Sequence, residues 1–153
     1  MNSWQLLFRI LTQHKLQSAS SYVGYNYFSS VREKAECVIH VSVRGCEQGA
    51  KYASTASSAA AKYFNQSTLH NGRGDAFRHC YWNALMTHHI GAANAEIIAT
   101  NHEKYSKGPK RETNMDLANN RTERTVGRQT KTDSQALARC RDLANHGKLA
   151  TLK

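Results

Sequence analysis

The chain has 153 residues, 40% of them apolar, which is enough for one domain with its own hydrophobic core and too many for wholesale disorder. Its formal net charge is +10, and residues 104–153 carry twelve Lys/Arg against five Asp/Glu, a balance that favours polyanionic partners: nucleic acid, anionic lipid or an acidic immunity protein. No apolar run reaches the ~18 residues of a membrane-spanning helix, and the first residues lack the basic flank of a signal peptide, so action outside the cell would need a specialised secretion route.

Plentiful alanine and a single proline, Pro109, favour helices over sheet. Trp4, Leu7, Phe8 and Leu11 recur at helical spacing and predict an amphipathic helix over 3–16. "SASSYVGYNYFSS" then reads as a loop or short helix. Residues 31–45 are ambiguous. Their run "CVIHVSV" suits a strand, but a lone strand would have no partner, so a helix is preferred. "EQGAKYASTASSAAAKYF" reads as a helix ending near Asn65, with a flexible Ala/Ser linker as the alternative. After the loop "NQSTLHNGRG", helices are predicted over 75–89 (stopped by Gly91) and 92–106 (ended by Gly108 and Pro109). Two more follow, over 114–126 (capped by Thr113, ended by Gly127) and 133–145 (capped by Thr132 or Asp133, closed by Gly147).

The expected fold is therefore all-α: a single-domain helical bundle around the "GDAFRHCYWNAL" helix. A weakly specified helical portion occupies 1–65, and the motif-bearing core occupies 66–153. Cys37, Cys46, Cys80 and Cys140 show no metal-knuckle spacing. Cys80 reads as a small buried hydrophobe, and a Cys37–Cys46 bridge is left open.

At 100° per residue, Asp75, His79, Trp82, Met86 and His89 share one face of the 75–89 helix, with Asn83 at its edge. The opposite face carries Phe77, Tyr81, Ala84 and Leu85, which makes this helix central. In the next helix His102 follows the apolar stripe of Ala95, Ile98 and Ala99, and Glu103 sits 100° round. In the third, Asp116, Asn119, Asn120 and Glu123 line one face. Three successive helices thus present acids, imidazoles and amides where packing prefers leucine, and their convergence would enclose a polar centre.

Two chemistries suit these residue types. Asp75, His79, His102 and Asp116 are candidate ligands for a divalent ion (Ca, Zn or Mg). His79, Asp75, Glu103 and His102 are candidate catalytic groups, with His79 as the base that activates water and Glu103 or Asp75 orienting it. Arg78 and Arg124 are candidates to hold an anionic oxygen, and Asn119, Asn120 and Trp82 to contact substrate. The bland readings are a structural Asp75–His79 pair, a core ring at Trp82 with its N–H satisfied, and surface amides at Asn119 and Asn120. His14, His40, His88 and His89 read as surface or core histidines.

Taken together, "GDAFRHCYWNALMTHHIG", "HE" at 102–103 and "MDLANNRTER" at 115–124 resemble a bacterial domain of uncharacterised activity. That domain occurs at the C-terminal ends of RHS-repeat and wall-associated proteins. The resemblance covers about residues 70–128, and Glu123 stands where that domain has a glycine before the arginine. It implies a toxin-like effector, with Asp75, Arg78, His79, Trp82, His102, Glu103, Asp116, Asn119, Asn120 and Arg124 as the positions that matter. A fainter likeness to short phospholipases A2 rests on a histidine on one helix and a carboxylate on the next; Cys80 stands where those enzymes have an aspartate. Three functions follow as expectations. The first is a hydrolase of anionic esters, phospholipid favoured. The second is a nuclease toxin, which the charge suits equally although no strand-borne metal-nuclease motif is present. The third is a non-catalytic binding module with a structural polar core.

Overall fold

A computed structural model describes residues 28–106 and 108–153. The helix predicted over 3–16, the tyrosine-rich segment up to residue 27 and His14 lie outside them. The described residues form one all-α domain of six helices with no strand: α1 (Val31–His40), α2 (Val43–Tyr63), α3 (Arg73–Ile90), α4 (Ala92–Tyr105), α5 (Lys110–Gln129) and α6 (Asp133–Asn145). A short 3-10 turn, Gln66–Thr68, leads into the loop before α3.

The ambiguous 31–45 stretch is helical, but in two pieces. Ser30 Oγ accepts from Glu33 N (3.1 Å) to start α1, and Ser42 Oγ accepts from Gly45 N (3.0 Å) to start α2. Each hydroxyl satisfies an otherwise orphaned donor of a first turn, so the chain restarts at Ser42 instead of running through. The Ala/Ser stretch is the body of α2 and not a linker. Its small residues Gly49, Ala53, Ala56 and Ala60 are buried. A Cβ on Gly49 would lie 3.2 Å from Ile98 Cδ1, so this stripe lets neighbouring helices approach closely.

Helix α3 is the axis of the domain and packs against α2, α4, α5 and α6. From Gly74 to Met86 every residue except Arg78 is buried. On its apolar side Phe77 meets Phe64 and Tyr81 at ring-centroid distances of 5.0 and 5.9 Å. Gly91, at φ 85°, is the single residue between α3 and α4, a conformation that suits glycine.

Three local expectations are corrected. Helix α5 begins at Lys110, directly after Pro109 at its N-cap, so Thr113 lies inside the helix. Gly127 does not end α5 but sits buried within it. A Cβ there would fall 2.5 Å from Thr87 Cβ, so the glycine exists for close approach to α3. Cys80 is buried as expected but is not a free hydrophobe: it is bonded to Cys140, tying α3 to α6. Cys37 and Cys46 are bonded as well, tying α1 to α2. The cap at Thr132 stands as read, with its hydroxyl accepting from Gln135 N (3.2 Å). No helix among the described residues is long and apolar enough to cross a membrane.

A cross-link stabilises mainly by shortening the unfolded chain's reach, and more so for the longer loop. The Cys80–Cys140 separation is 60 residues and the Cys37–Cys46 separation is 9. Chain entropy then gives about 4 kcal/mol for the first bridge and about 2.5 kcal/mol for the second. Urea unfolding of the paired variants Cys80→Ala/Cys140→Ala and Cys37→Ala/Cys46→Ala is expected to show the larger loss for the first pair.

Candidate active site

Helices α3 and α5 lie side by side and run in the same direction. Their contacts climb together: Asn71 Nδ2 to Glu112 Oε1 (2.6 Å), Asn83 Nδ2 to Asn120 Oδ1 (3.0 Å) and Glu123 Oε2 (2.8 Å), then Thr87 against Gly127. The close glycine contact at one end brings the polar stripes together, and α4 contacts both helices and adds Glu103. The predicted convergence of three polar faces is present.

Asp75 is held from two sides. Its Oδ2 accepts from Asn71 N (2.7 Å), and its Oδ1 accepts from Arg78 Nε (3.1 Å) and Nη2 (2.5 Å). Arg78 Nη2 also lies 2.9 Å from His79 Nε2. A guanidinium only donates, so Nε2 is the acceptor and the proton of the neutral ring sits on Nδ1. That Nδ1 is buried and has no partner. Burial, then the Arg78 charge, push the His79 pKa down to about 3, against the pull of Asp75 at 3.6 Å. The Asp75 carboxyl is itself lowered: burial opposes ionisation, and the Arg78 charge with the hydrogen bonds from Arg78 and Asn71 favours it.

The carboxyls on the other two helices move the opposite way. Burial, then the negative Asp116, push Glu103 up to about 8. Burial, then Asp75, push Asp116 up to about 6. Each carboxyl acts on the other, raising Glu103 and lowering Asp116, so one proton between them resides on Glu103. Glu123 is fully buried and pushed well above the carboxylate range by burial, then by Asp116. Glu103 Oε1, Asp116 Oδ1, Glu123 Oε1, Asn83 Oδ1 and Asn120 Nδ2 are buried without a partner, like His79 Nδ1. Arg78 and Asp116 keep part of their surface, and they form the solvent-facing edge of this centre.

Other predicted residues are employed elsewhere. Trp82 Nε1 donates to Gly49 O (3.0 Å), the core role of the bland reading. His102 packs edge-on to Trp82, and its Nδ1 lies 3.0 Å from Glu33 Oε1. Arg124 is paired with Glu96 of α4 through Nη2 (3.1 Å), while its Nε and Nη1 are buried without a partner. Asn119 gives both ends of its amide to Ala150, donating to its O and accepting from its N, each at 2.9 Å. His88 and His89 both contact Asp133. Among the described residues no three His, Cys, Asp or Glu side chains are arranged to hold a metal ion. The quartet expected as ligands is divided instead: Asp75 is taken up by Arg78, His102 by Glu33 and Asp116 by Glu103.

Sequence reasoning missed Glu33, Asn71 and Glu112, and it placed Asn83 only at an edge. Glu33 shares the buried side of α1 with Cys37 one turn on, but a carboxylate's type argues for the exposed side, and Asn71 acts on Asp75 through its backbone N–H, which any residue but proline carries.

The model of a domain of unknown function, DUF6973, matches residues 38–148. The chain belongs to that family. The DUF6973 match spans α2 to α6 and so takes in Asp75, Arg78, His79, Asn83, Glu103, Asp116, Asn120 and Glu123, while Glu33 falls outside it. No solved structure matches the chain.

The opposed shifts set a pH dependence. Glu103 keeps its proton when folded but releases it when unfolded between 4.5 and about 8, so its contribution is present below 4.5 and is lost as pH rises through that window. Asp116 and Glu123 act in the same sense. His79 acts in reverse, losing stability as pH falls from 6.5 towards about 3. Three carboxyls outweigh one imidazole above 4.5, so the melting temperature is expected to fall from pH 5 to pH 8. Glu103→Gln and Glu123→Gln should each flatten that fall, and a melting temperature that rises over the same range contradicts it.

Proposed function

We propose that this domain is a hydrolase of carboxylic esters in anionic lipids, acting as a toxin-like effector. The observation that carries the reading is the Glu103–Asp116 pair: two carboxyls in one buried centre that act on each other, one pushed up to about 8 and the other to about 6. At neutral pH one is an acid and the other a base, the poise that general acid–base catalysis requires. Asp116 takes a proton from water, whose oxygen attacks the ester carbonyl carbon. Glu103 gives its proton to the alkoxide oxygen as the acyl C–O bond breaks, and the proton that Asp116 took from water then passes to Glu103. His79, neutral and with a partnerless Nδ1–H, serves as a donor to the developing oxyanion and not as the base expected from sequence. Arg78 fixes that tautomer.

The charge of the centre favours lipid over nucleic acid. Asp75 and Asp116 are ionised at neutral pH, and the guanidinium beside them is already paired. A phosphodiester would bring its own negative charge to the reacting atom, whereas an acyl ester is neutral there. The net charge of +10 then acts further out, drawing the protein to an anionic surface. Two disulfides support a place of action outside a reducing cytoplasm. The resemblance to RHS-associated domains supports delivery as an effector, with an acidic immunity protein as the natural antagonist of so basic a chain.

Fatty-acid release from phosphatidylglycerol vesicles is expected, with rate limbs near pH 6 and pH 8. Glu103→Gln and Asp116→Asn should each lower kcat by about 100-fold. Parallel incubations with plasmid and RNA, with and without added Mg or Ca, test the nuclease alternative. Intact lipid with degraded nucleic acid would overturn the reading, and unchanged rates in both variants would remove the pair from catalysis.

A further inference from the structure

The adjacent asparagines of "MDLANN" face different ways. Asn120 belongs to the α3–α5 seam, while Asn119 is fully engaged with the backbone of Ala150, far along the chain. A side-chain amide that donates to the O and accepts from the N of one residue is a specific clamp, because its donor and acceptor sit on separate atoms and fix the direction of that backbone. Beyond Ala150 the chain continues to the loop before α3, where Leu152 N (2.9 Å) and Lys153 N (3.1 Å) both donate to Asn71 O. Leu149, just before the clamp, is buried. Residues 149–153 therefore form a strap from α5 to Asn71.

Asn71 is a junction. Its φ is 59°, and among the described residues it alone is a non-glycine with positive φ. Asparagine tolerates this left-handed conformation better than most residues, and here it aims three backbone and side-chain groups in different directions. The carbonyl accepts from the strap, the amide donates to Glu112, and the backbone N–H donates to Asp75 Oδ2. Asp75 in turn orients Arg78, and Arg78 sets the tautomer of His79.

We propose that Asn119 and Asn71 are positioning residues of the candidate active site, acting through the 149–153 strap to hold Asp75, Arg78 and His79 in register. The catalytic half of this statement rests on the hydrolase reading, and the geometric half does not. The strap acts through backbone N–H groups, so its side chains are dispensable while its presence is not. Thr151, Leu152 and Lys153 contribute no fully buried side chain, so removing them leaves the core intact.

Three variants of the full chain separate the outcomes: deletion of residues 151–153, Asn119→Ala, and Lys153→Ala as a control that keeps the backbone. The primary readout is the nitrogen-15 spectrum of the His79 ring. The wild type and Lys153→Ala should show one neutral tautomer with the proton on Nδ1. The deletion and Asn119→Ala should show a mixture of tautomers while helical circular dichroism is unchanged. If the deletion keeps the single tautomer, the strap does not position the site and the proposal fails, whatever Asn119→Ala does to folding. In the vesicle assay, kcat should fall roughly tenfold in the deletion with KM held, since small misplacements at a reacting centre are costly. A wild type that hydrolyses no lipid removes the hydrolase reading, and the nitrogen-15 result still decides the strap.

Discussion

The close approach of α5 to α3 is the constraint on which the site depends. Gly127 has no side chain to hold the helices apart, and Thr87 occupies the space that a Cβ would need. With the axes drawn together there, the polar stripes a few turns away face each other and meet solvent at the Arg78–Asp116 edge. Asn83 spans the gap to Asn120 and Glu123, and the acids of α4 and α5 are pressed into the same volume. A leucine seam would have packed more cheaply, since each buried polar group without a partner costs ~1–3 kcal/mol. The chain carries several, concentrated at one place.

That concentration gives the domain a divided electrostatic character. Outside it is strongly basic, and the last third carries most of the excess. Inside, four carboxyls share a small space with Arg78 and Arg124, and proximity sorts them. Asp75, beside Arg78, is held ionised, whereas Glu103 and Glu123, beside other acids and away from water, keep their protons. Identical functional groups thus take opposite protonation states a few ångströms apart, which is the arrangement acid–base chemistry needs.

The rest of the fold is organised to keep this centre in place. One disulfide anchors the central helix to α6 and the other anchors α1 to α2. Small residues on α2 let it pack tightly under Trp82, whose indole N–H is satisfied by the carbonyl of Gly49. Glu33, held by Ser29 and facing His102, extends the polar system to α1, beyond the part of the chain matched by the family.

The helical class, the order of the motif-bearing helices and the shared face of Asp75 and His79 were legible from the residues, because a 3.6-residue period converts spacing into direction. The same rule placed Asp116, Asn120 and Glu123 on one stripe. Partners were not legible. Asn119 and Asn120 are neighbours of identical chemistry, and only the packed structure sent one to the strap and the other to the seam. Cys80 and Cys140 lie 60 residues apart, and spacing cannot choose among pairings. Gly127 looked like a helix end because a glycine's local signal is the same whether it breaks a helix or admits a neighbour. Periodicity fixes which side chains point together along one helix; which helix meets them, and therefore which proton sits on which atom, is decided only when the axes pack.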